Sequence, residues 1–203
     1  MTRWYLGTCI PAGILDKGGS LCQNPESLKH LSLITNGACT HAGCQLEGLS
    51  KLTSLKTLMW EGLQSPMEID ALQQCLQQNH LYLRTLSIGM VPTGSLDWQS
   101  SIFGFRRLSL EEKEEMEPIQ FPSLSCLSLS NCILPAAWLR TGHILPFHAL
   151  RALTLRDCVH QVHLIQLLSQ SSNSICLRHL EICSDYLFEG YSIWQTLVFH
   201  TNS

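Results

Sequence analysis

One six-residue phrase, Leu-x-x-Leu-x-Leu with conservative swaps, recurs seven times along the 203 residues. Its copies begin at Leu28, Leu55, Leu83, Phe105, Leu124, Leu150 and Leu177, and successive starts lie 27, 28, 22, 19, 26 and 27 residues apart. The last two apolar letters of each phrase fall on one side of an extended strand, because alternate strand side chains face opposite ways. A single short strand with one apolar edge cannot bury that edge alone. Units of this length must therefore stack, each strand passing through a return segment before the next begins.

That phrase at that period is the grammar of leucine-rich repeats. The expected fold is α/β: a leucine-rich-repeat solenoid with a curved parallel sheet on its concave side and helices and irregular segments on its convex side. One repeat domain of about seven repeats, uncapped or truncated at its ends, is expected over residues 24–203, after an irregular lead-in or partial repeat over residues 1–23. The middle letters Leu58, Leu86, Leu108, Leu127, Leu153 and Leu180 are expected to stack in one buried column. Return helices are expected at Met67 to Gln78, where Ser65-Pro66 opens a run with Ile69, Leu72, Cys75 and Leu76 on one face, at His160 to Ser169, and at Ala136 to Ile144. The fourth unit is irregular, since Leu110 runs directly into Glu111-Glu112-Lys113-Glu114-Glu115-Met116-Glu117-Pro118, a run expected to be a solvated loop or frayed helix. Trp194, Leu197 and Phe199 read as an eighth phrase arriving early.

Net charge of −3 gives no broad cationic footprint, so nucleic acid is not an expected partner. No segment approaches a membrane span. The N-terminal stretch around Trp4 to Leu15 imitates a signal peptide only faintly, being broken by Pro11, and an intracellular setting, cytoplasmic or nuclear, is expected. Ten cysteines would suit a disulfide scaffold, but several sit inside the repeat grammar. Cys132 and Cys158 each follow the last apolar letter by three residues, and Asn36 fills the same slot. That is the Asn/Cys position of the repeat, where a small thiol packs inward, so structural free thiols are expected. Cys39, His41 and Cys44 lie close together and His160 and His163 share a helical spacing, but neither group supplies the four ligands of a closed zinc site. No nucleophile elbow, phosphate loop or acidic metal cluster is present; the expectation is a protein that is not an enzyme and uses no cofactor or metal.

The positions between the apolar letters line the concave face. Its central columns nominate Thr85, Ser87, Arg107, Ser109, Ser128 and Thr154 as partner-binding residues, mostly small hydroxyls suited to broad shape matching with a protein. A second series follows the first letter of each phrase: Lys29, Lys56, Arg84, Arg106, Arg151 and Arg178, with Ser125 the exception. Two accounts fit this basic rim. The favoured one places each cation just after a return helix, against the negative end of its dipole. The other makes the row a field that steers an acidic partner.

Leu150-Arg151-Ala152-Leu153-Thr154-Leu155-Arg156-Asp157-Cys158 and the segment from Phe121 to Cys132 resemble the repeats of fungal F-box/leucine-rich-repeat proteins and their RNase-inhibitor-like relatives. The resemblance covers about residues 24 to 203. It implies a protein-interaction scaffold, with substrate recognition in a ubiquitin-ligase-like protein as one role and an inhibitor-like regulatory scaffold, or a fragment without independent activity, as the alternatives. In that family a separate F-box segment binds the ligase adaptor; none is evident here, and adaptor binding is implied only for a longer parent chain.

Overall fold

The computed structural model describes residues 2–7, 10–11, 13–16, 18–35, 46–92, 119–134, 148–170, 176–184 and 199–200. Their strands are β1 (Thr2–Leu6), β2 (Leu28–Ile34), β3 (Thr57–Leu63), β4 (Thr85–Met90), β5 (Cys126–Ser130), β6 (Ala152–Arg156), β7 (His179–Cys183) and β8 (Phe199–His200). They form one open sheet in sequence order. The first seven run parallel, and β8 pairs antiparallel with β7. The eighth phrase is thus not a further parallel unit.

Register follows the phrase letter by letter. Leu31, Leu58, Leu86, Leu127, Leu153 and Leu180 are successive partners across six strands, and Leu33, Trp60, Ile88, Leu129, Leu155 and Ile182 form the next row. A one-residue slip would turn every leucine toward water, so burial itself enforces this alignment. Leu31 to Leu153 are at most 2% exposed, whereas Leu180 is only partly buried. Trp60 fits an aliphatic slot because its indole N–H finds the Thr35 hydroxyl at 3.1 Å, and Thr35 donates in turn to the Gly62 carbonyl at 3.1 Å. Gly62 carries a φ of 85° where the β3–β4 register shifts, a conformation that glycine adopts without a Cβ penalty.

Two departures from the expected stack stand out. The N-terminal lead-in supplies β1, parallel to β2, with Trp4 and Leu6 in register with Leu31 and Leu33. In addition, β4 bonds directly to β5, pairing Leu86 with Leu127, so Leu108 does not enter the column between them. The Phe105 phrase lies outside the described residues, as do Asn36, Ala136 to Ile144, the acidic run and Trp194.

Helix α1 (Pro66–Asn79) starts where the sequence directs. The Ser65 hydroxyl accepts the Glu68 N–H, the Glu68 carboxylate accepts the Ser65 and Gln64 N–H groups, and Pro66 occupies the first turn. Ile69, Leu72, Cys75 and Leu76 face the core, as their spacing predicts. Helix α2 (Gln161–Gln170) packs Leu164 and Leu168 inward. Short 3-10 turns η1 (Ser20–Cys22) and η2 (Glu47–Lys51) serve as returns for the first units. Asn79, 1% exposed, closes α1: its Oδ1 accepts the Leu55 N–H at 2.7 Å and its Nδ2 donates to the carbonyls of Leu52 and Cys75. One side chain therefore joins two consecutive units of the stack.

At the strand ends, Asn131 and Asp157 take matching left-handed backbone, φ 54° and 51°, which their short polar side chains tolerate better than most residues. The chain then turns Cys132 and Cys158 into the core. The Cys132 thiol donates to the Ser130 carbonyl at 3.3 Å and the Cys158 thiol to the Leu129 carbonyl at 3.4 Å. Burial raises the pKa of Cys75 to about 12 and of Cys158 to about 11, and pushes Cys132 well above the ordinary 9.0. Only a thiolate alkylates readily. Iodoacetamide at pH 8 is expected to label exposed Cys176 in the folded chain but Cys75, Cys132 and Cys158 only after unfolding, as read by peptide mass spectrometry. The same shifts work against stability at high pH. Unfolded thiols ionise first, near 9, so stability is expected to decline as pH rises from there through the folded values of about 11 and 12.

Candidate interaction face

Side chains on the face of the sheet away from the core come from alternate strand positions, and the register aligns them. The first column reads Arg3, His30, Thr57, Thr85, Cys126, Ala152 and His179; the second reads Tyr5, Ser32, Met59, Ser87, Ser128, Thr154 and Glu181. Thr85, Ser87, Ser128 and Thr154 thus lie together on three adjacent strands. Arg107, Ser109 and Arg106 lie outside the described residues.

The centre of this face is partly covered. Ser87 is only 7% exposed, and its hydroxyl reaches the Glu61 carboxylate at 3.4 Å. Glu61 can reach across β4 because Gly89 has no Cβ; a methyl group there would overlap the carboxylate. Gly89 thus leaves room for the tip of a flexible side chain, which a larger residue would have to displace. Ser87 is consequently a poorer contact than its place in the phrase suggests, while Ser128 and Thr154 are half-buried.

On the sheet itself, the exposed apolar side chains lie on the first three strands. Tyr5 is 68% exposed, Ile34 47% and Met59 38%. Tyr5 and Met59 flank Ser32 in register, and Ile34 stands two residues further along β2, diagonal to both. Arg3 joins them, its guanidinium donating to the Tyr5 hydroxyl at 3.3 Å. Tyrosine, arginine and methionine are enriched at protein interfaces, where a rigid amphipathic ring or a flexible thioether fills a partner's pocket. Sequence reasoning passed over this cluster because Arg3 and Tyr5 belong to β1. The available signal was alternation within Arg3-Trp4-Tyr5-Leu6, with Trp4 and Leu6 continuing the inward rows.

Charge is unevenly placed. Beside the cluster, burial and then the Arg3 and Lys56 cations lower the pKa of His30, and both its ring nitrogens are inaccessible and unpartnered. At the other end, Glu181 accepts Arg156 Nε at 3.0 Å and Nη2 at 2.8 Å, and His179 Nε2 lies 3.8 Å from its second oxygen. Such a solvated pair orders side chains more than it stabilises the fold.

Arg84 and Arg178, the rim residues that follow a described helix, do not match the helix-end account. Helix α1 has no basic residue in its last turn, and Arg84 lies beyond its His80 cap; α2 likewise ends on Gln170 with no cation in its last turn, well before Arg178. Dipole effects fade within the terminal turn. Two carbonyls at the end of α1 are met by backbone, with His80 N–H on Leu76 and the Tyr82 and Leu83 N–H groups on Asn79. Among the described residues no group of three His, Cys, Asp or Glu side chains could hold a metal ion; the Cys39, His41 and Cys44 set lies outside them, and His160 and His163 stack 5.7 Å apart without a third ligand. No helix among the described residues is long and apolar enough to cross a membrane. In comparisons with known proteins, the chain matches no family model, no curated protein and no solved structure.

Proposed function

We propose that this chain is a leucine-rich-repeat solenoid that acts by binding a protein partner on the outer, concave face of its sheet, with no chemistry of its own. Repeat phrases that align in successive parallel strands, and cysteines turned inward at the Asn/Cys slot, support the architecture. The exposed Tyr5, Ile34 and Met59 carry the binding role, because exposed apolar side chains grouped on neighbouring strands of one sheet face add nothing to the core. A reducing, intracellular setting belongs to the same reading, since Cys132 and Cys158 serve as buried thiols. Substrate recognition for a ubiquitin ligase rests on the resemblance of the repeats, and co-purification of a longer parent chain with the ligase adaptor tests that part.

The binding face is tested by affinity capture of a partner followed by kinetics on purified variants. Tyr5→Ala and Met59→Ala are each expected to weaken binding by roughly 30-fold, the size of an interface hot spot. Met67→Ala, at an exposed position on α1, serves as the comparison and should change nothing. Loss of binding in Met67→Ala with full binding in the two face variants would sink the proposal.

A further inference from the structure

The cations at the strand starts are neighbours in space. Each residue of the series hands its carbonyl to the next: Lys29 O accepts Lys56 N–H at 2.8 Å, Lys56 O accepts Arg84 N–H at 2.9 Å, Arg84 O accepts Ser125 N–H at 2.9 Å, Ser125 O accepts Arg151 N–H at 2.7 Å, and Arg151 O accepts Arg178 N–H at 2.8 Å. The row therefore crosses six adjacent strands, a span of roughly 24 Å at about 4.8 Å per strand. Among the described residues it holds five of the eight lysines and arginines, the other three being Arg3, Lys51 and Arg156. Most of the described cations of a chain with net charge −3 are thus gathered along one edge.

Like charges on adjacent strands repel, so the arrangement lowers stability unless something neutralises it. Nothing inside the described fold does. Lys29 Nζ donates to the Glu26 carbonyl, a dipole and not a countercharge, and Lys56, Arg84, Arg151 and Arg178 have no side-chain partner among the described residues. Arg84, Arg151 and Arg178 are exposed, and Lys29 and Lys56 half-exposed. In the gap, the Ser125 hydroxyl turns back to the Arg84 carbonyl at 3.0 Å, which leaves the row low there. The adjoining column offers Thr57, Thr85, Cys126 and Ala152, small enough for an extended chain to lie beside the cations.

We propose that Lys29, Lys56, Arg84, Arg151 and Arg178 form a docking strip for an extended acidic segment of the partner protein. This rests on the protein-binding reading above and adds the partner's chemistry. A span of that length matches about seven residues of extended chain, at roughly 3.3 Å each. Nucleic acid fits less well, since stacking platforms normally accompany a single-strand groove and the adjoining column holds no Phe, Tyr or Trp.

The test is fluorescence anisotropy with a fluorescein-labelled decaglutamate peptide, against decaglutamine and a labelled oligothymidine. Decaglutamate is expected to bind at low salt and to lose about tenfold in affinity when ionic strength rises a few-fold, as exposed charge contacts do. Combined Arg84→Gln and Arg151→Gln should cost about another tenfold, and Lys51→Gln, off the row, less than about twofold. Circular dichroism melts confirm that the variants fold. Absence of decaglutamate binding, an equal effect of Lys51→Gln, or tighter binding of oligothymidine through the same arginines would each overturn the proposal. Because Tyr5→Ala and Met59→Ala leave the row intact, their effect on partner capture tests the outer face separately: peptide binding can survive a failure there, and the outer face can stand if the peptide fails.

Discussion

Replacing Leu127 with Asp is expected to abolish the cooperative melting transition at the temperature where the unaltered chain still melts sharply. Leu127 is 2% exposed at the middle of the inward row, with Leu86 on one side and Leu153 on the other. A carboxylate there meets no cation or donor; it must either stay charged in an apolar layer or take up a proton. Loss of the leucine's own packing adds to that, so the cost is about 5 kcal/mol or more, comparable with the whole stability of many domains. Because each strand contacts only its neighbours, the damage should propagate in both directions from β5. Leu127→Met, similar in volume, should cost less than about 1.5 kcal/mol. A sharp, unshifted melting transition in Leu127→Asp would count against the stacked row as the source of stability.

Substitution of Asn79 by Leu is expected to destabilise the chain by about 3 kcal/mol or more, although the new side chain is apolar and nearly the same size. The cause is what it leaves behind: the Leu55 N–H and the Leu52 carbonyl are buried with Asn79 and lose its amide as partner, while the Cys75 carbonyl keeps its helical N–H. An orphaned buried backbone group costs more than a satisfied one returns. Urea titration should show a midpoint well below that of Gln77→Leu, an exposed position two residues earlier on the same helix. A comparable midpoint for the two variants would show that water or backbone adjustment replaces the amide and that Asn79 is not the stitch between units.

How much of this was legible in the chain depends on the range over which each feature is decided. Strand positions, inward letters, the α1 start at Ser65-Pro66 and the inward Cys132 and Cys158 were readable because local spacing and burial dictate them. The Phe105 phrase misled, since six matching letters do not reveal which copies will pair side by side, and β4 bonds directly to β5. Thr85, Ser128 and Thr154 fell where the phrase put them, but Ser87 was covered by a glutamate from the preceding strand through the missing Cβ of Gly89. Asn79 looked like one more polar residue at a helix end. Its importance arises from groups more than twenty residues away in the chain.

The sequence by itself determined the repeating strand and the side of it that faces inward, because a recurring pattern of apolar letters admits one register that buries them all. Only the tertiary structure decided which copies stand side by side. That settled three things: β1 joins at one end, β4 meets β5 without the Phe105 phrase, and the backbones of the described rim residues hydrogen-bond strand to strand. The physical reason is that adjacency is set by which return segments can pack and which buried polar groups find partners. Those are sums over residues far apart in the chain, and no single phrase carries them.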